Sequence, residues 1–134
     1  MTLPWAEVLL VFLACHVVGD FLLQTDHQAV NKHAGLGEGQ LSSRALLSHV
    51  GIYTLSFSPA VIWLAAQGVA PGLLAALGAL LFLTHLLIDD GRLLERYVRL
   101  VKGESALGSK TVLLLVDQSM HFLTLFGLAL LVVV

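Results

Sequence analysis

The chain carries little charge. Only 12% of its 134 residues are Asp, Glu, Lys or Arg, against about 25% in an ordinary soluble domain. It has seven basic residues and no basic patch interleaved with aromatics, so no nucleic-acid partner is expected. A single cysteine, Cys15, leaves no internal disulfide and no CxxC metal or redox motif. It reads as a small apolar helix residue. Neither HExxH nor GxSxG occurs, so the signatures of zinc proteases and serine hydrolases are missing. What is abundant is apolar: 57% of residues are hydrophobic, and the mean hydropathy is +0.90. Together these features describe a membrane protein, of a length suited to a single domain over 1–134.

Four apolar segments are long enough to cross a bilayer, since about 20 residues at 1.5 Å rise span the hydrocarbon core. The first covers 4–24, with Pro4 in the first turn, where a missing N–H is no loss. No basic region precedes it, and Phe12-Leu13-Ala14-Cys15 only weakly resembles a lipoprotein cleavage box. A retained helix is therefore expected rather than a signal peptide. The second covers 42–66; Ser42 or Ser43 can cap it, and Pro59 predicts a kink or local break. The third covers 71–88 and carries Gly72, Ala75, Ala76, Gly78 and Ala79, small enough for close helix contact. The fourth covers 110–134.

The connections are distinctive too. Residues 25–40 are polar, carry Gly35, Gly37 and Gly39, and read as a loop in which His27 and His33 are solvated. Residues 67–71 form a short turn and 103–109 a loop. Residues 91–102 read GRLLERYVRLVK, with Leu93, Leu94, Tyr97, Val98 and Val101 at helical spacing between charged residues. Such a basic amphipathic helix lies along a membrane surface. The expected fold is all-α: a polytopic, up-down bundle of four transmembrane helices plus one amphipathic interfacial helix. Lys32, Arg44, Arg92, Arg96, Arg99, Lys102 and Lys110 all fall on one side of this plan. The positive-inside rule then places both polar loops in the cytoplasm and both termini outside.

Polar side chains interrupt the apolar segments in a regular way. His16, Asp20 and Gln24 stand four residues apart late in the first, and side chains at i and i+4 share one helix face. His85 and Asp89 repeat the device late in the third segment, and Asp117 and His121 reverse it early in the fourth. His49 lies early in the second. In an up-down bundle all seven histidines and aspartates fall roughly 5–16 Å from one end, at 1.5 Å per residue.

Each buried charge costs about 2.5–3.5 kcal/mol near the bilayer centre, so the set must face inward and satisfy itself or a bound cation. A single member such as His49 can simply hydrogen-bond between helices; the coincidence in depth of all seven points to a shared purpose. A divalent metal keeps carboxylates ionised and binds neutral imidazole. The candidate metal ligands are therefore His16, Asp20, His49, His85, Asp89, Asp117 and His121. They outnumber the four ligands of a structural zinc site, and suit two metals, or one metal with a second shell of carboxylates. Zinc is expected, with iron or manganese as alternatives. Gln24, Ser48, Gln118 and Ser119 can supply outer hydrogen bonds. Asp90, about 100° around the helix from Asp89 and next to Gly91-Arg92, reads as interfacial, and Glu7 as surface. The chain also reads as two hairpins, each with HxxxD on its first helix (His16, His85) and a histidine on its second (His49, His121), related by an axis along the membrane normal.

The combined order HVVGDFLLQ, Asn31-Lys32, Ser48-His49, HLLID and DQSMH resembles a bacterial integral-membrane family, domain of unknown function 3307. The resemblance covers nearly the whole chain. It implies a small bacterial inner-membrane protein and draws attention to the same polar positions, but brings no established activity. Membrane-embedded metal hydrolases built from intramembrane His and Asp are similar in style only.

Four functions compete. The first is a metal-dependent hydrolase acting on a lipid or lipid-linked substrate, with Asp117 or Asp20 as general base and the basic helix attracting anionic headgroups. The second is a metal-ion or proton transporter or binding subunit, which with four helices would need to form a homo-oligomer. The third is a b-type haem protein, which the aspartates fit poorly. The fourth is a structural subunit with an inert polar core.

Overall fold

The computed structural model describes residues 3–32 and 35–133, so His33 and Val134 lie outside the described residues. In chain order the elements are α1 (Trp5–Val17) running into a π-helical turn (Val18–Leu22), a short α2 (Asp26–Asn31), α3 (Gln40–Ser56), α4 (Ser58–Ala66), α5 (Pro71–Asp89), α6 (Arg92–Val101), a 3-10 turn (Glu104–Gly108) and α7 (Lys110–Val133). No strand occurs among the described residues.

Four helical spans are long and apolar enough to cross a membrane: Trp5–Leu22, Gln40–Ala66, Pro71–Asp89 and Lys110–Val133. The apolar core joins Val8 in α1, Leu64 in α4, Leu77 in α5 and Val132 in α7. The starts of α1 and α5 thus lie beside the ends of α4 and α7, so successive spans run in opposite directions. Only 22% to 39% of each span's most apolar window is buried; Leu10, Leu55, Ile62 and Leu123 face outward. An exposed apolar belt of that kind is what a span in contact with acyl chains would present.

Local features explain how the helices are shaped. Phe57 separates α3 from α4 two residues before Pro59, which is the break that proline predicts. Pro59 then occupies the first turn of α4, where its missing N–H costs nothing. The first span changes register at Val18–Leu22, where Leu23 N–H donates to the Val18 carbonyl, five residues back, at 2.9 Å. Single π turns inside α-helices recur at functional sites. Gly19 lies within this turn because α3 leaves no room for more: a Cβ there would stand 2.7 Å from Ser56 Oγ and 2.8 Å from Tyr53 Cδ2.

Two expectations are corrected. The small-residue face of the third span is not a close helix contact within the chain. Gly72, Ala75, Ala76 and Ala79 are exposed, and a Cβ on Gly72 or Gly78 would meet nothing within 4 Å. The spans bury their larger side chains instead, and the tight approach falls at Gly19. The segment 25–40 is also not wholly loop. Thr25 caps α2 in a reciprocal box, accepting from Gln28 N–H while Gln28 Oε1 accepts from Thr25 N–H, so a Thr-x-x-Gln signal outweighs the surrounding polarity.

The rest of the segment is pinned to the α5–α6 junction. Asp90 Oδ1 accepts from Leu36 N–H at 2.6 Å, Arg92 donates to the Leu36 carbonyl, and Ser42 Oγ donates to the Gly35 carbonyl at 3.0 Å. Gly35 is at φ +78°, and a Cβ there would run into Asp90 Oδ1. Asp90 is thus a loop anchor at the end of the bundle. Glu7 and His27 are exposed.

Candidate metal centre

The four spans deliver their polar residues to one level. His16 and Asp20 come from the first span, the latter within the π turn. His49 comes from α3, His85 and Asp89 from α5, and His121 from α7. All six are buried, with between 0% and 7% of their surface exposed.

The contacts centre on His49 Nε2. It lies 3.2 Å from Asp20 Oδ1, 3.0 Å from Asp89 Oδ2, 3.0 Å from His85 Nε2 and 3.3 Å from Gln24 Nε2. His85 Nε2 lies 3.4 Å from both Asp20 Oδ1 and Asp89 Oδ2. An imidazole nitrogen has one proton or one lone pair, directed in the ring plane. It cannot satisfy four neighbours at once, and the same spacing could hold a metal ion. Ligands about 2.0–2.1 Å from a tetrahedral zinc stand roughly 3.3–3.4 Å apart, and five of the separations among Asp20, His49, His85 and Asp89 run from 3.0 to 3.4 Å. One atom from each of these residues falls within 4.8 Å of all the others.

A second group shares Asp20. Asp20, Asp117 and His121 also bring one ligand atom each within 4.8 Å. His121 Nδ1 stands 3.0 Å from the Asp117 carbonyl, which can only accept. Nδ1 therefore carries a proton, and in the neutral ring Nε2 would offer its lone pair, the orientation usual for a metal-binding histidine. His121 Nε2 has no hydrogen-bond partner among the described residues, nor has Asp20 Oδ1. Asp89 turns its other oxygen, Oδ1, to within 3.5 Å of His121 Nε2. Asp20, shared by both groups, and Asp89 thus stand between them.

The remaining residues sort by what they touch. His16 belongs to neither group. Its Nε2 donates to Gln118 Oε1 at 3.0 Å and its Nδ1 accepts from the Tyr53 hydroxyl at 3.1 Å, so both nitrogens are occupied. Gln118 Nε2 in turn donates to Asp20 Oδ2 at 3.3 Å and Asp117 Oδ2 at 3.1 Å, and so links His16 to the two carboxylates. Gln24 reaches His49. Ser48 does not touch the cluster: its hydroxyl accepts from Gln28 Nε2 and donates to the Ala45 carbonyl. Ser119 donates to the Leu115 carbonyl from an exposed position.

Two residues join the site that were not among the candidate ligands or their hydrogen-bond partners. Lys32 Nζ donates to Asp89 Oδ2 at 2.7 Å. It comes from the segment expected to be loop, and α2 with its capping box carries it inward. Tyr53 is stacked on His85, with ring centroids 3.5 Å apart and planes within 10°. Nδ1 of His85 has no partner among the described residues, so this stack, rather than an outer hydrogen bond, fixes the ring. Tyr53 follows His49 by four residues on α3, and that spacing was a readable signal.

Fold and site together define a class: an all-helical protein with four spans of membrane length and a buried His/Asp group able to hold a metal ion. The chain belongs to the family described as "Protein of unknown function (DUF3307)", whose model it matches over residues 8–134. No curated protein and no solved structure matches it.

Proposed function

We propose that the protein is a metal-dependent hydrolase of the bacterial cytoplasmic membrane, acting on a lipid or lipid-linked substrate. The observation that carries this reading is the crowd of lone-pair donors around His49 Nε2, spaced as ligands of one divalent ion. A divalent ion there, zinc first and iron or manganese next, would acidify a coordinated water and polarise a carbonyl or phosphoryl oxygen. Asp117, with 22% of its side chain exposed, is the better placed of the two candidate bases. It is the less buried carboxylate, and it would take the proton from the attacking water and return it to the leaving group. Gln118 and His16 would hold Asp20 and Asp117 in place through the chain of hydrogen bonds between them.

Sidedness follows from charge. All seven basic residues stand in or next to the segments at the metal-centre end, so that end faces the cytoplasm and both termini face outward. The exposed leucine belt makes the bilayer itself the first partner.

The test is elemental analysis and a visible spectrum of detergent-purified protein. Zinc, iron or manganese near stoichiometry, lost in His85→Ala, is the expected result, together with hydrolysis of lipid esters or phosphoesters that Asp117→Asn abolishes. A Soret band would reassign the histidines to haem, and metal-driven flux in liposomes without hydrolysis would make the protein a transporter. Absence of metal from every preparation would falsify the metal reading.

A further inference from the structure

A cavity of about 630 Å³ opens beside the second ligand group, within the size range of small-molecule sites. Asp20, Asp89, Asp117 and Gln118 face it from the bundle, and Lys32, Lys110 and Glu95 are also on its lining. Apart from Gln24, the other walls are largely apolar: Phe21 from the π turn, Val30 from α2, Ile88 from α5, Leu94 from α6, and Leu113 and Leu114 from α7. Phe21, Val30 and Leu114 are more than half exposed, so the cavity is continuous with the apolar outer surface of the bundle.

α6 has two different sides. Val98 is buried against the bundle, whereas Leu93, Tyr97, Leu100 and Val101 are exposed, and Arg92, Arg96 and Arg99 occupy the remaining face. A helix with an unpartnered apolar side next to a row of arginines is matched by one environment, the boundary between acyl chains and anionic headgroups. Leu94 of that helix lines the cavity. The cavity therefore opens where headgroups lie.

Charge decides what can enter. Asp20, Asp89, Asp117 and Glu95 bring four negative charges, and Lys32 and Lys110 two positive ones. That leaves a deficit of two, which one divalent cation cancels and two cations turn into an excess of two. With a cation in each of the two groups, the largely apolar walls and the excess of two positive charges would fit an amphiphile with a dianionic head. Lys110 is exposed at the start of α7 and has no acidic partner among the described residues.

Resting on the metal reading above, we propose that this cavity binds the headgroup of a phosphate-monoester lipid, with Lys110 contacting the phosphate and Leu113 the first methylenes of the acyl chains. A lipid of that class enters from the cytoplasmic leaflet beside α6 and presents its phosphate to the Asp20–Asp117–His121 group.

The test uses full-length protein in a non-ionic detergent, with its metal content measured in the same sample. The probes are dioctanoyl phosphatidic acid, dioctanoyl phosphatidylcholine, dioctanoylglycerol and inorganic phosphate, and bound lipid is counted by native mass spectrometry. Saturable binding of the phosphatidic acid is expected. It should weaken about tenfold or more in both Lys110→Glu and Leu113→Trp, with metal content unchanged. Equal binding of the zwitterionic or uncharged lipid overturns the proposal. So does wild-type affinity in Lys110→Glu, an exposed substitution that leaves the core untouched. Inorganic phosphate binding as tightly as the lipid makes the site one for a free anion and also overturns it. A protein without metal that still binds the lipid through Lys110 removes the metal reading and leaves the lipid site standing. A metal-loaded protein that binds no lipid does the reverse.

Discussion

At one end of the bundle, Phe12, Phe57, Leu64, Leu77 and Leu125 fill the space between the spans; at the other, His49, His85, Asp20 and Asp89 fill it. The same four spans build both ends, and the physics differs. In a bilayer, where lipid is as apolar as leucine, the first end would be held by close packing rather than by escape from water. Its contacts are many, small and replaceable. The second end holds buried groups that would be costly at most depths of a bilayer, and each is tolerable only while its neighbours remain. Loss at the apolar end is therefore graded, whereas loss at the polar end acts on the whole cluster.

Substitutions can break that contrast. The largest effect is expected from His49→Ala, because His49 Nε2 touches every other member of the four-residue group. Losing an outer-shell partner costs 10–100-fold in metal affinity, so losing this ligand should cost more than about 100-fold, measured by metal titration of the stripped protein. Phe12→Ala is its counterpart at the apolar end. Phe12 is fully buried, and the change opens on the order of 80–100 Å³, about 2 kcal/mol at the usual cavity coefficient. Thermal or denaturant unfolding in detergent should record that loss while metal content stays the same. A fall in metal content would show that the two ends are not independent.

Gly19→Ala tests the joint between them. The new methyl group has to displace Ser56 and Tyr53, at about 1–3 kcal/mol for overpacking, and Asp20 is the next residue. Unfolding stability and metal affinity should fall together, unlike in Phe12→Ala. The smallest effect is expected from His16→Ala. His16 hydrogen-bonds to Gln118 and Tyr53 and stacks on His121 without joining either ligand group, so metal should be retained with affinity reduced about tenfold. Complete loss of metal in that variant would place His16 among the ligands.

Much of this was legible in the sequence, because hydrophobic length and four-residue spacing are local properties of a helix. Four spans, the break at Pro59 and the amphipathic 91–102 segment follow from them directly. So does the meeting of the two HxxxD motifs, once alternating direction is assumed. Lys32 was not legible. It lies in a polar segment, and only the α2 cap and the anchoring of residues 35–36 by Asp90 turn it toward Asp89. The small residues of the third span misled for a related reason: small size permits close contact, but which face meets a neighbour is set by the other helices.

The sequence by itself determined that four helices of membrane length carry imidazole and carboxylate groups at matching depths, because rise per residue and side-chain period are fixed by the backbone. Only the tertiary structure decided how those groups divide. Rotation of each span about its own axis, and the π turn that re-aims Asp20, set which atoms converge. That placed Asp20 and Asp89 between two groups, left His16 outside both, and brought Lys32 and Tyr53 in. Such rotations depend on side chains of neighbouring spans meeting in three dimensions, and no local spacing encodes them.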